Sequence, residues 1–382
     1  MQKNKIGVIK NGVTGRMGTR QHLLRSILAI REEGGIKLEN GTTVIPEPIL
    51  VGRNRDKLKK LADENGLDHY STDLGAVLSD PDYPVYFDTQ VTKARHDSVL
   101  KAIASGKHIY CEKPTGSNLE EALNLYHAAK EAGVKHGVVQ DKLFLPGLIK
   151  LKNLADSKFF GRIFSVKVDF GYWVFEGHSV PANRPSWNYR KEAGGGLILD
   201  MFCHWRYVLD NLFAPVQAVL CHGATHIKER VDELGATYRC TADDTAYAVL
   251  ELEEGIIVQI NASWATRVRR DDLLVIQVDG TRGSAIAGLR ECYTQIYNET
   301  PVPVWNPDIP QPIQFFDGWK RVSDNKPYTN AFKIQWELFL KHVVMDTKFQ
   351  WDLLEGAKGV QLAETALNSW KERSWMSINP LI

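Results

Sequence analysis

The first 140 residues alternate short apolar runs with stretches of helical period. Residues 6–10, 49–52, 85–88, 109–111 and 138–140 make up the runs, and glycine or polar residues bound them as they bound strands. The helical stretches between them carry legible ends. Asn54 precedes Leu58, Leu61 and Ala62, with Gly66 as a stop, and Val99, Leu100 and Ile103 are stopped by Gly106. Ser117-Asn118-Leu119-Glu120 has capping-box spacing at the head of a helix that ends near Gly133. Strands alternating with helices in this way predict a parallel sheet covered on both faces. Residues 31–47 read as a polar insertion.

Beyond Gln140 the apolar period shortens to two. Phe164, Val166, Val168, Phe170 and Tyr172 alternate with other residues. Tyr247, Val249 and Glu251 return through Ile257 after Glu253-Glu254-Gly255, and residues 275–279 turn at Gly280-Thr281-Arg282-Gly283. This is the pattern of antiparallel hairpins. Pro301, Pro303, Pro307, Pro310 and Pro312 exclude a central strand or a helix and predict a connection or lid. Helical stretches at 331–344 and 353–371 close the chain.

At 382 residues the chain exceeds the roughly 250 to 300 at which one core stops growing, so two domains are expected. Lys+Arg 47 against Asp+Glu 46 leaves a formal charge of +1, which supplies no field for a nucleic-acid backbone or an anionic membrane. No apolar run approaches the roughly 20 residues of a membrane helix. The expected partner is a small molecule. Cys111, Cys203, Cys221, Cys240 and Cys292 are odd in number and far apart, which suggests neither a disulfide framework nor a structural zinc site. The residues before Ile6 are too few for a signal-peptide core, so a cytoplasmic location is expected.

Candidate chemistry begins directly after the first strand. Gly12-Val13-Thr14-Gly15-Arg16-Met17-Gly18 leads into a helical pattern through Leu23, Leu24, Ile27 and Leu28. Glycines there let the backbone approach a pyrophosphate, and a helix N-terminus points unsatisfied N–H groups at it. The spacing departs from Gly-x-Gly-x-x-Gly, because Val13 stands where the first glycine belongs. At the end of the second strand, where a carboxylate would hold a ribose diol, the sequence reads Gly52-Arg53-Asn54-Arg55. Two arginines there could bracket a 2′-phosphate, which favours NADP and leaves NAD open.

The fourth strand runs into Glu112-Lys113-Pro114, and residues 194–204 read Gly-Gly-Gly-Leu-Ile-Leu-Asp-Met-Phe-Cys-His. With these two motifs the chain resembles the Gfo/Idh/MocA family, the relatives of glucose-fructose oxidoreductase and inositol dehydrogenase. The resemblance implies an α/β chain: an N-terminal Rossmann dinucleotide-binding domain over 1–140 and a C-terminal α+β domain with a large, mainly antiparallel open sheet over 141–382. The second domain would bind substrate and mediate homo-oligomerisation, as a dimer or tetramer. Lys113, Asp200 and His204 are the implied catalytic residues, and Lys113-Pro114 is expected in cis as in many relatives. Gly12, Thr14, Gly15, Arg16, Met17, Gly18, Arg53, Asn54, Gln90 and Glu112 form the expected cofactor set. Departures from the family pattern lie at Val91-Thr92-Lys93 before His96, at Phe202 and at Leu143, and they bear on the substrate.

On a helix, Asp200, His204, Tyr207 and Asn211 share one face amid Leu199, Met201, Phe202, Val208 and Leu212. Oxidation of an alcohol by hydride loss needs a base near neutrality and a positive group for the forming alkoxide. His204 suits the first task and Lys113 the second, although burial beside a cation could also make Lys113 the base. Asp200 would bond substrate or hold the imidazole. Lys142, after the last parallel strand, and Asn188, Tyr189 and Arg190, before the glycine run, could bond the hydroxyls of a polyol. His222 and His226 share a face without a third ligand, so no metal is expected, and Cys203 should pack away from the polar face. The expected activity is hydride transfer between a nicotinamide cofactor and a hydroxyl or ketone of a sugar, cyclitol or related polyol. The alternatives are a cofactor-retaining sugar lyase or hydrolase using transient oxidation, and a non-catalytic dinucleotide-sensing regulator.

Overall fold

The computed structural model describes residues 3–325 and 327–382. The chain folds as two compact units, and it passes between them five times rather than once at residue 140. The first unit comprises Met1–Phe144, Leu199–Tyr207 and Thr329–Glu364, and the second Leu145–Ile198, Val208–Tyr328 and Thr365–Ile382.

The first unit is built on seven strands: β1 (Lys3–Asn11), β2 (Ile36–Lys37), β3 (Thr43–Val51), β4 (Tyr70–Ser71), β5 (Val85–Asp88), β6 (His108–Cys111) and β7 (His136–Val138). Their order is β2-β3-β1-β5-β6-β7, with β4 beside β3 and every pair parallel except β2–β3. The connections run to opposite sides of β1, so the strand order reverses between β1 and β5. In open sheets of this kind, ligands bind outside the carboxyl ends at that reversal. The segment expected to be a polar insertion instead supplies β2 and the first half of β3. Alternation of Thr43, Val44, Pro46 and Pro48 with less buried residues is too irregular to announce a strand.

Both faces of this sheet are buried. Val85 and Phe87 join Ile6, Val8, Ile27, Ile30 and Tyr110 on one side, while Tyr86 joins Ile9, Val99, Ile103, Ile109 and Leu125 on the other. The helix Ala331–Met345, from the late part of the chain, returns to the first side. There Trp336 and Phe339 are fully buried, with the Trp336 ring 4.7 Å from Phe87 and Phe339 stacked 4.6 Å from Tyr110. Burying two such aromatic side chains is worth on the order of 5 kcal/mol, which helps to place residues 329–364 in this unit. The expected capping box falls one residue later than its spacing suggested. Asn118 accepts from Glu121 N at 2.8 Å, and Glu121 answers to Ser117 N at 2.7 Å.

The second unit holds a nine-stranded sheet. Its central strand Ile163–Phe170 pairs antiparallel with Leu274–Gly280 and parallel with Ile257–Ser263. All its other neighbouring pairs are antiparallel, so one parallel pair makes the sheet mixed. Val166, Val168, Leu250, Val258 and Ile260 point to the buried face, whereas Tyr247, Ile257, Gln259 and Asn261 lie on an exposed one. Residues 301–319 form no strand and no helix, as the five prolines require.

Candidate active site

The turn after β1 is pressed against the loop after β5. Gly12 has φ +77°, and a Cβ there would lie 2.8 Å from Thr89 C and Gln90 N. A Cβ on Gly18 would meet Val13 Cα and Thr89 Oγ1 at 2.8 Å. Both positions therefore exclude a side chain, while Val13, at the place of the missing glycine, buries its side chain with Leu23, Leu50 and Leu58. Thr14, Gly15 and Arg16 are exposed ahead of a helix wound as π over Met17–Leu28 and as α over Ala29–Glu32. Gln90 Oε1 is buried without a hydrogen-bond partner, an acceptor waiting for a hydroxyl or amide donor. A glycine cradle, an open helix N-terminus and an orphaned acceptor at the reversal point fit a dinucleotide.

At the end of β3, Asn54 caps the next helix by accepting from Lys57 N at 2.9 Å. Its side-chain oxygen is thus engaged in the cap. Arg55 lies 5.7 Å over the Tyr70 ring. Arg53 is exposed and, among the described residues, has no hydrogen bond or ion pair.

Lys113 follows β6, and its bond to Pro114 is cis. Its ammonium donates to Asp200 O at 3.0 Å and to Asp200 Oδ1. Both residues lie in the first unit, as does the remainder of the cluster. His204 stands one turn further along the helix Leu197–Leu212 and is 5% exposed. Its Nδ1 is 2.7 Å from Tyr207 Oη and 3.7 Å from Asp141 Oδ1, and its Nε2 is 3.3 Å from Lys142 Nζ. Lys142 N and Asp141 Oδ1 each lie 3.3 Å from Tyr207 Oη. Burial, reinforced by the charge of Lys113, pushes the Lys142 ammonium below its ordinary range, and Asp141 opposes it. Lys113, Asp200, His204 and Lys142 are thus brought together, and Asp141 and Tyr207 join them. Asp200 receives Lys113, whereas the imidazole is held by Tyr207.

Beneath this cluster, Glu112 is buried and committed to protein groups. His22 Nε2 is 2.8 Å from Glu112 Oε1, and Lys113 N donates to Glu112 Oε2 at 3.1 Å. Trp336 Nε1 donates to His22 Nδ1 at 3.0 Å, which puts the imidazole proton on Nε2 and makes Glu112 the acceptor. Burial tends to raise the Glu112 carboxyl, but the His22 bond and the charges of Lys113 and Arg95 outweigh it and hold it below the ordinary range. Glu112 thus steadies the backbone of Lys113. Arg95, which carried no sequence signal, binds Asp88 Oδ1 at 3.1 Å, Gln90 O at 2.8 Å and Pro114 O. It ties the loop after β5 to the Lys113-Pro114 segment after β6.

Residues 46–140 match the oxidoreductase family with an NAD-binding Rossmann fold, and residues 148–286 match the GFO/IDH/MocA C-terminal domain. The D-xylose dehydrogenase of Paenarthrobacter nicotinovorans is 53% identical over 377 residues, 98% of this chain and 97% of that protein. The chain belongs to the GFO/IDH/MocA oxidoreductase family. A more distant relative is the scyllo-inositol 2-dehydrogenase (NAD(+)) of Bacillus subtilis strain 168, 25% identical over 276 residues, 70% of this chain and 75% of the relative. The solved levoglucosan dehydrogenase in complex with NADH and L-sorbose shares the fold at a TM-score of 0.81 and 19% identity, with 100% of both chains covered. This GFO/IDH/MocA protein is an NAD(P)-dependent oxidoreductase.

Other expected substrate residues of this family member are committed elsewhere, in the second unit. Tyr189 is fully buried, its hydroxyl donates to Phe175 O, and its ring lies 4.1 Å from the Arg230 guanidinium. Asn188 Nδ2 donates to Pro185 O at 2.9 Å, and Arg190 stacks 4.1 Å over Tyr238. These contacts hold the loop before the glycine run, and in this structure the side chains of Asn188 and Tyr189 are engaged within it. The run itself has a packing reason: Gly196 has φ +127°, and a Cβ there would meet Asp243 Oδ1 at 2.7 Å. Asp243 in turn accepts from Ile198 N at 2.7 Å. Cys203 is buried, donates to Leu199 O at 3.3 Å and has its thiol pushed up to about 12 by burial, so it packs as expected. His226 Nε2 is 3.4 Å from Tyr247 Oη, and among the described residues no three His, Cys, Asp or Glu side chains form a metal cluster.

Proposed function

We propose that this protein is an NAD(P)-dependent dehydrogenase of D-xylose or a closely related aldose. The supporting observation is that Lys113, Asp200 and His204 converge within one unit of a chain 53% identical to a D-xylose dehydrogenase. The dinucleotide, held by the Gly12–Gly18 turn, Gln90 and the Arg53 edge, supplies a hydride acceptor. The chain's own residues manage the proton and the charge. Lys113 donates a hydrogen bond to the reacting oxygen and stabilises it as it becomes alkoxide-like. Asp200 keeps that ammonium aimed through a pair only 14% and 21% exposed. His204 accepts the hydroxyl proton at Nε2, and Lys142, now 3.3 Å from that atom, bonds a neighbouring sugar hydroxyl.

NADP is the preferred cofactor in this reading, since Arg53 stands exposed where a carboxylate would select a ribose diol. We also place the homo-oligomer contact on the exposed sheet face. There a depression of about 490 Å³ is lined by Leu220, His222, Tyr247, Val249, Gln259 and Asn261. The five cysteine thiols are free and buried, which supports a reducing, cytoplasmic setting. No helix among the described residues is long and apolar enough to cross a membrane. Stoichiometric reduction of NADP or NAD across pentoses, hexoses and inositols tests the reading. D-xylose should give the highest kcat/KM, and no turnover of any aldose would end it.

A further inference from the structure

We propose that Tyr207 and Asp141 are positioning residues that fix the tautomer of His204 and relay its charge away from the substrate. The inference rests on His204 acting as the base in the reading above. An ammonium can only donate, so Lys142 Nζ at 3.3 Å makes His204 Nε2 the acceptor. The imidazole proton is then on Nδ1, which donates to Tyr207 Oη at 2.7 Å. Tyr207 Oη also receives Lys142 N at 3.3 Å, so its own proton points to Asp141 Oδ1, likewise at 3.3 Å. Each of these named donors meets an acceptor, with the protons placed at Lys142 Nζ, His204 Nδ1, Lys142 N and Tyr207 Oη.

The burial of the chain gives it force. His204 is 5% and Tyr207 3% exposed, and the rings meet edge-on with centroids 5.6 Å apart. Tyr207 lies three residues from His204 and therefore on the same helical face. When Nε2 takes the substrate proton, the imidazolium keeps its Nδ1–H bond to Tyr207 and gains the Asp141 carboxylate 3.7 Å from that nitrogen. Full relay moves the Nδ1 proton to Tyr207 Oη as the tyrosine proton moves to Asp141, so one proton enters at Nε2 and one arrives on the carboxylate. The charged groups facing the imidazole are Asp141 and Lys142, with Lys113, Asp200 and Glu112 also acting on Lys142 beside it. Asp141 is the near anion that offsets Lys142.

The test uses the full-length protein and the variants Tyr207→Phe and Asp141→Asn, with NADP(H) affinity and melting temperature confirming that each folds. Tyr207→Phe should lower kcat/KM for the aldose by about 10²-fold while cofactor affinity changes less than about threefold. In Asp141→Asn the acid limb of the kcat/KM profile should move to lower pH by about one to three units, because the imidazole loses the anion that favours its protonated form. Nitrogen-15 spectra, with the His204 resonance assigned by its loss in His204→Asn, should show protonated Nδ1 in the wild type. They should show a mixed tautomer in Tyr207→Phe. An unmoved acid limb together with an unchanged tautomer overturns the relay even if the wild type oxidises xylose. A wild type inactive on every aldose but showing the Nδ1–H tautomer refutes the dehydrogenase reading and retains the positioning.

Discussion

Replacing Arg95 by methionine removes the cation from a pair that is almost wholly out of water, since Arg95 is 2% and Asp88 0% exposed. Asp88 keeps the Tyr86 hydroxyl at 2.8 Å and Gln90 N at 3.0 Å but loses its counter-charge. Breaking a buried pair from one side leaves an uncompensated ion and costs about 3 to 5 kcal/mol. Melting entropy grows with chain length, so over 382 residues 1 kcal/mol moves the melting temperature by only about 1 °C, and Arg95→Met should melt about 5 °C lower at pH 8. Burial already raises the Asp88 pKa, and Arg95 is the main opposing influence, so the variant's carboxyl is raised further. A group whose folded pKa lies above its unfolded value penalises the folded state when ionised. The deficit is therefore greatest at neutral and alkaline pH and shrinks toward pH 4. Asp88→Asn in the Arg95→Met background should recover part of the loss. Because Arg95 also holds the carbonyls of Gln90 and Pro114, NADPH affinity followed by fluorescence should weaken with it. A melting temperature within 2 °C of wild type at pH 8, or a deficit that is flat from pH 5 to 8, would refute the account of Arg95 as the counter-charge.

Lys113→Ala should leave NADPH affinity within about threefold of wild type while lowering kcat by at least 10²-fold, measured by equilibrium titration and aldose turnover. Parallel loss of both would make Lys113 structural. Gly18→Ala drives a Cβ to 2.8 Å from backbone and should cost about 1 to 3 kcal/mol in urea unfolding. Gly15→Ala, whose Cβ meets only Gly12 O at 3.5 Å, should stay within about 0.5 kcal/mol, and equal losses would count against the cradle. Asp243 is pushed up to about 6 by burial, so its ionisation opposes folding increasingly from about pH 4 and fully above about pH 6. Asp243→Asn keeps an acceptor for Ile198 N and should raise the melting temperature at pH 7.5 by up to the equivalent of about 3 kcal/mol, yet hardly at pH 4. A gain independent of pH would contradict the burial argument.

The strand and helix grammar of the first 140 residues was readable because both faces of a parallel sheet must be apolar and its helices need caps, and both demands are local. What the 331–364 segment covers was not readable. Its period says that one face is buried, but the match of Trp336 and Phe339 to Phe87 and Tyr110 depends on residues more than two hundred positions away. Asn188 and Tyr189 show the converse limit. A polar side chain before a glycine run looks the same in sequence whether it meets a ligand or an internal carbonyl such as Phe175 O. Lys142 and Tyr207 were visible as polar residues at a strand end and on a helix face, yet their meeting at His204 required the fold.

The rule that ligands gather at carboxyl ends of parallel strands located the site, but the distribution of charge there follows from a stricter requirement. Asp88 follows from β5, Glu112 from β6 and Asp141 from β7, and Asp200 enters from the helix. Carboxylates gathered at these strand ends are held as anions only where each has its own cation or donor. Asp88 has Arg95, Glu112 has His22, Asp200 has Lys113, and Asp141 faces Lys142 and His204. The two pairs whose members are nearest to full burial, Asp88 with Arg95 and Glu112 with His22, bind backbone on either side of Lys113 and hold it in place. The other two retain some exposure and contain the groups that must change partner when a sugar arrives. Static pairs beneath and exchangeable pairs above divide positioning from proton transfer, and exchanging the members of one layer for those of the other should destroy catalysis without altering the net charge of the site.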